Sequence, residues 1–284
     1  MTESAKISES SNYYRILGTN SNAGDELIKE RYLEKVRDFP PEKHPEEFKR
    51  IREAYDTLKD PFKRSEYDLK TKYQGKGDRL LEDAIFEMNY GLYDEAESLL
   101  NEAAELAADN LYILKIQSHL ALLQDNLAKY NEIFKKIESL APKSRHYMVF
   151  ANKLAILLDG ERYPKYALKV LKEMERKFPD KKDEMIDLYL SVYDQLGKFN
   201  KLWSILSNRL KTFEEINEDN IRLFLAAMSL INKHEQWNKK ESLIKNTEKF
   251  IGIIKSDQET EGVILDYLDE NLCEAEEYGD IDGQ

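Results

Sequence analysis

Cysteine, glycine and proline are scarce in this chain of 284 residues. Cys273 is the only cysteine, which excludes a disulfide within the chain. Only 11 glycines and 7 prolines interrupt the sequence, and so few helix breakers favour helices. No segment approaches the roughly 18 consecutive apolar residues that a membrane-spanning helix needs, and residues 1–10 lack the apolar core of a signal peptide. We therefore expect a cytoplasmic, all-α protein with no membrane partner.

Positive charge is missing from the C-terminal part of the chain. The net charge is −12, and no Lys or Arg follows Lys255, whereas 11 acidic residues lie between Asp257 and Asp282. The rest of the chain is close to neutral and shows no basic stripe of the kind that nucleic acid requires. We expect an acidic, solubilising tail and no nucleic-acid partner.

Patterns typical of catalytic and metal sites are also missing. The four histidines lie far apart and none has metal-ligand spacing: His44, His119, His146 and His234. Gly75-Lys76-Gly77 does not follow a strand, so it is not a phosphate-binding loop. Cys273 lies among acidic residues, which disfavour a thiolate nucleophile. We expect no enzyme, no metal and no cofactor.

Four short helices are predicted in the first quarter of the chain, at 13–17, at 25–37, after Pro45 and after Asp60-Pro61. The second carries apolar residues at helical spacing. It should end before Pro40 and Pro41, because proline lacks the backbone donor and restricts the preceding residue. Pro45 and Pro61 suit the first position of the helices that follow them.

Residues 12–70 resemble a J-domain of the DnaJ type. The resemblance rests on Tyr13-Tyr14, Ile16-Leu17-Gly18, Phe39, Glu53-Ala54-Tyr55, Asp60-Pro61 and Tyr67-Asp68. Because most of these are residues of the core or of helix caps, the resemblance implies the four-helix fold of the family. It does not by itself imply the activity.

J-domains carry His-Pro-Asp between their second and third helices, and this tripeptide triggers ATP hydrolysis by a DnaK-type chaperone. By the family's spacing, its positions fall here on Pro40, Pro41 and Glu42. Pro40 has neither a ring nitrogen nor a backbone N–H, whereas Glu42 keeps the negative charge. This departure from the family's pattern predicts a J-like unit that no longer triggers ATP hydrolysis by the chaperone.

The resemblance also implies a basic surface that faces the chaperone. Four residues are candidates for it: Lys29, Lys35, Arg37 and Lys43. Leu33, Glu34 and Asp38 stand where the family usually has Lys or Arg. Exchange of a lysine for a glutamate turns an attraction into a repulsion, by about 1 kcal/mol for a close exposed pair.

His44-Pro45-Glu46 resembles a tripeptide shifted by four residues. A shifted, working loop is one alternative. Phe39 and the Lys43-His44-Pro45 run, which resembles the family's Lys-Asn-Pro after the tripeptide, argue against it. We expect His44 to be a loop residue and Pro45 to begin the third helix.

Five pairs of amphipathic helices are predicted after a linker at 74–77. The pairs are 78–90 with 93–107, 111–123 with 127–140, 145–158 with 163–178, 185–196 with 199–213, and 220–231 with 237–254. Their period of roughly 34–37 residues is typical of tetratricopeptide repeats. The best match is the first pair, with Ala84, Gly91, Tyr93, Ala96 and Ala103 at signature positions. Because the later pairs match poorly, other helical-hairpin solenoids remain possible for them.

These observations predict five segments: a disordered terminus at 1–10, a J-like unit at 11–73, a linker at 74–77, tetratricopeptide-like repeats at 78–256, and a capping helix with an acidic tail at 257–284. The leading hypothesis is a non-catalytic interaction or scaffold protein whose repeats bind a protein partner through their groove. The alternative is an active co-chaperone that delivers clients to a DnaK-type ATPase.

Overall fold

The structure is a computed structural model that describes residues 12–73, 75–159, 161–211, 218–233 and 237–245, with Gly252 and Gly262. Throughout these ranges the regular elements are helices and no strand is present, so the predicted all-α class is confirmed. The chain divides between Phe178 and Pro179 into two compact units, residues 1–178 and 179–284.

The first four helices form a unit that we call the head, residues 12–73. They are α1 (Tyr13–Leu17), α2 (Asp25–Asp38), α3 (Pro45–Leu58) and α4 (Pro61–Lys72). Asn12 begins α1 by accepting the Arg15 N–H, and the Asp60 carboxylate begins α4 by accepting the N–H groups of Phe62 and Lys63. These caps and the prolines at the first positions of α3 and α4 explain why the starts could be read from the sequence.

Apolar side chains from α1, α2 and α3 fill the core of the head. Its buried members are Tyr14, Ile16, Leu17, Ala23, Ile28, Phe39, Ile51, Ala54 and Leu58. Phe39 belongs to this core although it lies just after the last residue of α2. The loop between α2 and α3 is therefore anchored at its first residue.

Three helical hairpins follow within the same unit, and we call them the array. Their helices are α5 (Lys76–Asn89), α6 (Tyr93–Leu106), α7 (Leu111–Leu123), α8 (Leu127–Leu140), α9 (His146–Asp159) and α10 (Pro164–Lys177). Consecutive helices pack in pairs, α5 on α6, α7 on α8 and α9 on α10, and α6 also packs on α7. Helices α7 and α8 have the predicted bounds, and the others differ from prediction by one or two residues.

The predicted linker is shorter in the structure. Gly75 takes the left-handed conformation with φ +79°, and α5 begins immediately after it at Lys76. Two of the four predicted linker residues, Lys76 and Gly77, therefore lie in a helix that begins two residues before the predicted start. The connection is a tight turn because a glycine supplies the positive φ at no steric cost.

The second unit contains α11 (Ile186–Gln195), α12 (Phe199–Leu210) and α13 (Glu218–Lys233). Its core is formed by Leu202, Trp203, Leu206, Leu210, Leu223, Phe224, Ala227, Leu230, Ile231 and Leu243. Helix α13 matches the first helix of the predicted fifth pair, and its predicted partner is described only at 237–245 and at Gly252. The predicted disordered terminus and, apart from Gly262, the predicted capping helix and acidic tail lie outside the described residues.

Candidate functional site

The loop between α2 and α3 is closed by the backbone of Pro40. Its carbonyl oxygen accepts the N–H groups of Lys43 (3.1 Å) and His44 (2.9 Å). This double hydrogen bond makes Pro41, Glu42 and Lys43 the tip of the loop, and all three are exposed. Pro40 is half-buried at the base. Of the three positions that correspond to the family's tripeptide, Pro41 and Glu42 lie at the exposed tip and Pro40 lies at the base, and they carry one carboxylate and no imidazole.

His44 lies at the base of the loop. Its ring packs edge-on against Phe39, with 5.3 Å between the ring centroids, and its carbonyl oxygen accepts the Phe48 N–H at 2.9 Å. Pro45 and Glu46 form the first turn of α3. In the His44-Pro45-Glu46 run, His44 is the cap residue of α3 and the other two residues belong to the helix. The run therefore does not form an exposed loop tip like the one at Pro41–Lys43.

The four candidate basic residues lie along α2 and in the loop that follows it, and they differ in exposure. Lys29, Arg37 and Lys43 are exposed, whereas Lys35 is half-buried with its Nζ 6.0 Å from the centroid of the Phe39 ring. On α2, between Lys29 and Lys35 in the sequence, the large apolar side chain of Leu33 is exposed. In the same stretch Arg31 forms an ion pair with Glu34 at 2.8 Å. The surface of α2 is thus a mixture of basic, apolar and acidic groups.

A tyrosine, an arginine and an aspartate connect the two ends of the head. The Tyr14 hydroxyl donates to Asp68 at 2.6 Å and accepts from the Arg64 Nε at 3.0 Å. Burial raises the pKa of Asp68 and is also the largest cause of the raised pKa of Tyr14. This network ties α1 to α4.

A second ionic cluster joins the head to the array. The Asp25 carboxylate, at the first position of α2, accepts from the Arg145 Nε at 2.9 Å and from the Ser144 hydroxyl at 2.7 Å. Arg64 lies 3.9 Å from the same carboxylate and also donates to the carbonyl oxygens of Ser21 and Ala23. The side chains of Asp25 and Arg145 are only 14% and 17% exposed, so water screens this pair poorly.

The last helix of the head is packed into the array. Leu69 of α4 is buried in the same cluster as Leu80, Ala84 and Ile113 of α5 and α7. The Ser65 hydroxyl accepts the Leu111 N–H at 2.8 Å. The Tyr73 hydroxyl donates to the Leu106 carbonyl at 2.6 Å. The head is therefore one layer of the first unit, and α4 covers the apolar side of the first hairpin.

Sequence reasoning missed these contacts. Asp25 and Arg145 are 120 residues apart, and neither belongs to a motif. Gly77 gave no signal either, because it was predicted to lie in the linker and its close contact with Leu69 is seen only in the structure.

The residues of the predicted repeat signature occupy positions that suit their size. Ala84, Ala96 and Ala103 are fully buried between α5, α6 and α7. Gly91 takes the left-handed conformation with φ +76°, and Tyr93 begins α6. Small residues at these contacts let the helices approach closely.

In the described part of the chain, no group of three His, Cys, Asp or Glu side chains has an arrangement that could hold a metal ion. None of its helices combines the length and the apolar character needed to cross a bilayer.

Residues 12–68 match the family model described as DnaJ domain. Similar relatives are the chaperone protein DnaJ of Porphyromonas gingivalis, 43% identical over 68 residues, and that of Thermoplasma acidophilum, 46% identical over 63 residues. These matches cover 22% and 20% of this chain and 18% and 17% of the relatives. The chain thus spans less than a fifth of the curated relatives that it matches, and the match shows a J-domain at residues 12–68.

Proposed function

We propose that this chain is a non-catalytic interaction protein of the cytoplasm, in which a J-domain without its ATPase trigger is packed onto a helical-repeat array that binds a protein partner. The observation that carries the proposal is the loop tip between α2 and α3. It presents Pro41, Glu42 and Lys43, and Pro40 occupies the place of the histidine.

The chemistry of Pro40 supports the loss of the trigger. An imidazole can donate and accept hydrogen bonds, whereas a proline ring can do neither. The one polar group of Pro40 is its carbonyl, and that carbonyl is engaged by the N–H groups of Lys43 and His44. The loop therefore has no group that could replace the histidine at that position.

The array supports the partner-binding part of the proposal. Its three hairpins stack through α6 on α7 and α8 on α9, as consecutive units of a tetratricopeptide-like solenoid do. Such stacks form extended surfaces that commonly bind peptides or proteins. We extend the same assignment to the hairpin of α11 and α12 in the second unit.

A second candidate function is that of a working co-chaperone. It is favoured by Lys29, Arg37 and Lys43, which are exposed on α2 and the loop, and by the similarity to DnaJ proteins. These cations could hold a DnaK-type chaperone even without the histidine. In that case the head would bind the chaperone with little effect on its chemical step.

Single-turnover ATP hydrolysis by a DnaK-type chaperone separates the two functions. We expect the full chain to leave the hydrolysis rate unchanged at concentrations where an active J-domain raises it. Stimulation that is abolished by Glu42→Ala or Lys29→Ala would overturn the proposal in favour of the co-chaperone. Stimulation that both variants retain would also contradict it, because the trigger would then lie elsewhere on the chain.

A further inference from the structure

The first hairpin exposes a compact aromatic surface that the fold does not require. We call it the aromatic patch: Phe86 and Tyr90 on α5, and Leu92 in the turn to α6. Their exposed fractions are 57%, 69% and 45%, and the rings of Phe86 and Tyr90 lie 4.7 Å apart between centroids. A contiguous exposed apolar surface of this kind commonly marks an interaction site.

The turn that follows α5 is of a type in which the next residue frequently contacts the last turn of the helix. Gly91 is left-handed, its N–H donates to the Met88 carbonyl at 3.2 Å, and the Leu92 N–H donates to the Glu87 carbonyl at 3.0 Å. This pair of hydrogen bonds is the Schellman motif, in which the residue after the glycine frequently contacts the residue five or six positions before it, here Glu87 or Phe86. The motif therefore favours one surface that spans the helix and the turn.

Two other hairpins show that the turn does not need an apolar residue there. The same hydrogen-bond pattern closes α7, with the Asn126 N–H on Ala121, and α11, with the Lys198 N–H on Tyr193. Asn126 and Lys198 are polar residues in the position of Leu92. An apolar residue at this place in the first hairpin is therefore not explained by the turn.

Leu92 is also a poor choice for the start of α6. It is the cap residue of that helix and makes no side-chain hydrogen bond, whereas Asn126 caps α8 by accepting the Lys129 N–H. Leucine is among the least favourable cap residues, and asparagine among the best. Leu92 at this position therefore lowers the stability of α6 relative to asparagine, as expected for a residue that serves binding.

Unpaired carboxylates flank the patch. Asp83, Glu87, Asp94 and Glu95 form no ion pair within the ranges that the structure describes. Asp94 and Glu95 stabilise the positive end of α6. Glu87, however, lies in the last turn of α5, where a negative charge opposes the helix dipole and no basic residue compensates it.

We propose that the aromatic patch binds a segment of a partner protein in which an apolar side chain is flanked by lysine or arginine. The inference rests on the proposed protein-binding function and specifies the chemistry of the partner. The carboxylates would repel nucleic acid and anionic lipid. A symmetric contact with a second copy would bring the same carboxylates face to face, so charge complementarity selects a basic partner.

The test is a selection of peptides from a random display library on the full chain, followed by affinity measurements on the selected peptides. We expect enrichment of apolar residues flanked by lysine or arginine, with binding that weakens as salt is added. Phe86→Gln and Leu92→Asn should each weaken binding by roughly tenfold or more, as expected for central anchors. Leu140→Asn removes an exposed leucine of α8 and should leave the affinity unchanged.

Leu92→Asn also shows whether a loss of peptide binding is caused by unfolding of the chain. Because asparagine is the better cap, this variant should raise the melting temperature by about 2–4 °C while it weakens binding. Peptides that bind the wild type and Leu92→Asn equally would refute the patch but leave partner binding by the array intact. A library that yields no binder would refute both, and a dimer lost in Leu92→Asn would identify a second copy as the occupant.

Discussion

Gly77 lies at the contact between α4 of the head and the first hairpin. A Cβ on this residue would lie 2.8 Å from the Cγ of Leu69 and 2.9 Å from its Cδ1. Leu69 is itself almost fully buried among the side chains of α5 and α7, so it has little room to move. The close approach of α4 to α5 therefore depends on the absence of a side chain at Gly77.

Gly77→Ala is expected to destabilise the first unit by about 1–3 kcal/mol, the range for overpacking of a buried contact. Gly252→Ala is the matched control, because Gly252 is also helical and an added Cβ there would meet nothing within 4 Å. The control should be neutral or stabilise by up to about 1 kcal/mol through its helix propensity. Urea unfolding measures both, and equal effects of the two substitutions would contradict the packing argument.

Lys153 is a half-buried ammonium on α9, whose Nζ lies 5.8 Å from the centroid of the Phe134 ring. Burial lowers the pKa of Lys153. The folded state therefore holds this proton less tightly than the unfolded state. Its contribution to stability is unfavourable at neutral pH, and the penalty disappears as the pH rises through the lowered pKa towards the ordinary value of about 10.4.

Lys153→Met should therefore raise the melting temperature at pH 7, and its advantage over the wild type should shrink as the pH is raised towards 10. Lys172→Met, at an exposed position of α10, should change neither the melting temperature nor its pH dependence. Thermal melts across this range provide the check. A loss of stability in Lys153→Met at pH 7 would show that the contacts of the ammonium outweigh its burial.

At the scale of the elements, the helices could be predicted from the sequence and their assembly could not. Three helices have the predicted bounds: Tyr13–Leu17, Leu111–Leu123 and Leu127–Leu140. Local caps, turn residues and apolar periodicity determine where these helices begin and end. The end of α2 was also readable, since Pro40 and Pro41 exclude a longer helix.

The packing of the head on the array depends on contacts between residues far apart in the sequence. The pair of Asp25 and Arg145 and the burial of Leu69 under α5 and α7 leave no periodic signal. Gly75-Lys76-Gly77 was predicted to be a linker because two glycines lower helix propensity. The structure shows a different use for each: a positive φ at Gly75 and a close contact at Gly77.

The pair of Asp25 and Arg145 should contribute measurably to the docking of α2 on the array. In a double-mutant cycle with Asp25→Asn and Arg145→Gln, we expect a coupling of roughly 1–2 kcal/mol, above the range of exposed pairs. Asp125 and Arg162 form an exposed pair at 3.2 Å and serve as the control, with an expected coupling below about 0.5 kcal/mol. A coupling near zero at Asp25 would mean that this pair does not hold the head.

At the scale of the whole molecule, the head is a structural layer of the first unit. It contributes Leu69 and Tyr73 to the cluster that also contains the first hairpin. Truncation of the chain at residue 78 would therefore uncover the apolar side of α5 and α7. If such a fragment failed to bind a partner, the cause could be the uncovered array as well as the missing head. Point substitutions in the head therefore test its role more directly than truncation does.

Native-state hydrogen exchange tests this integration. We expect the slowest amides of α3, α4, α5 and α7 to exchange through one common opening with a shared free energy and a shared dependence on denaturant. Amides of the head that open at a clearly lower free energy than those of α5 and α7 would show instead a separately folding domain on a tether.

Residues 12–68 match the DnaJ domain, and we propose that Pro40 leaves them without the imidazole that triggers ATP hydrolysis. The most direct test of this proposal compares the full chain with a variant that carries both Pro40→His and Glu42→Asp, in single-turnover hydrolysis by a DnaK-type chaperone. We expect no stimulation by the wild type and a dose-dependent rate increase by the variant. Stimulation by the wild type equal to that by the variant would contradict it.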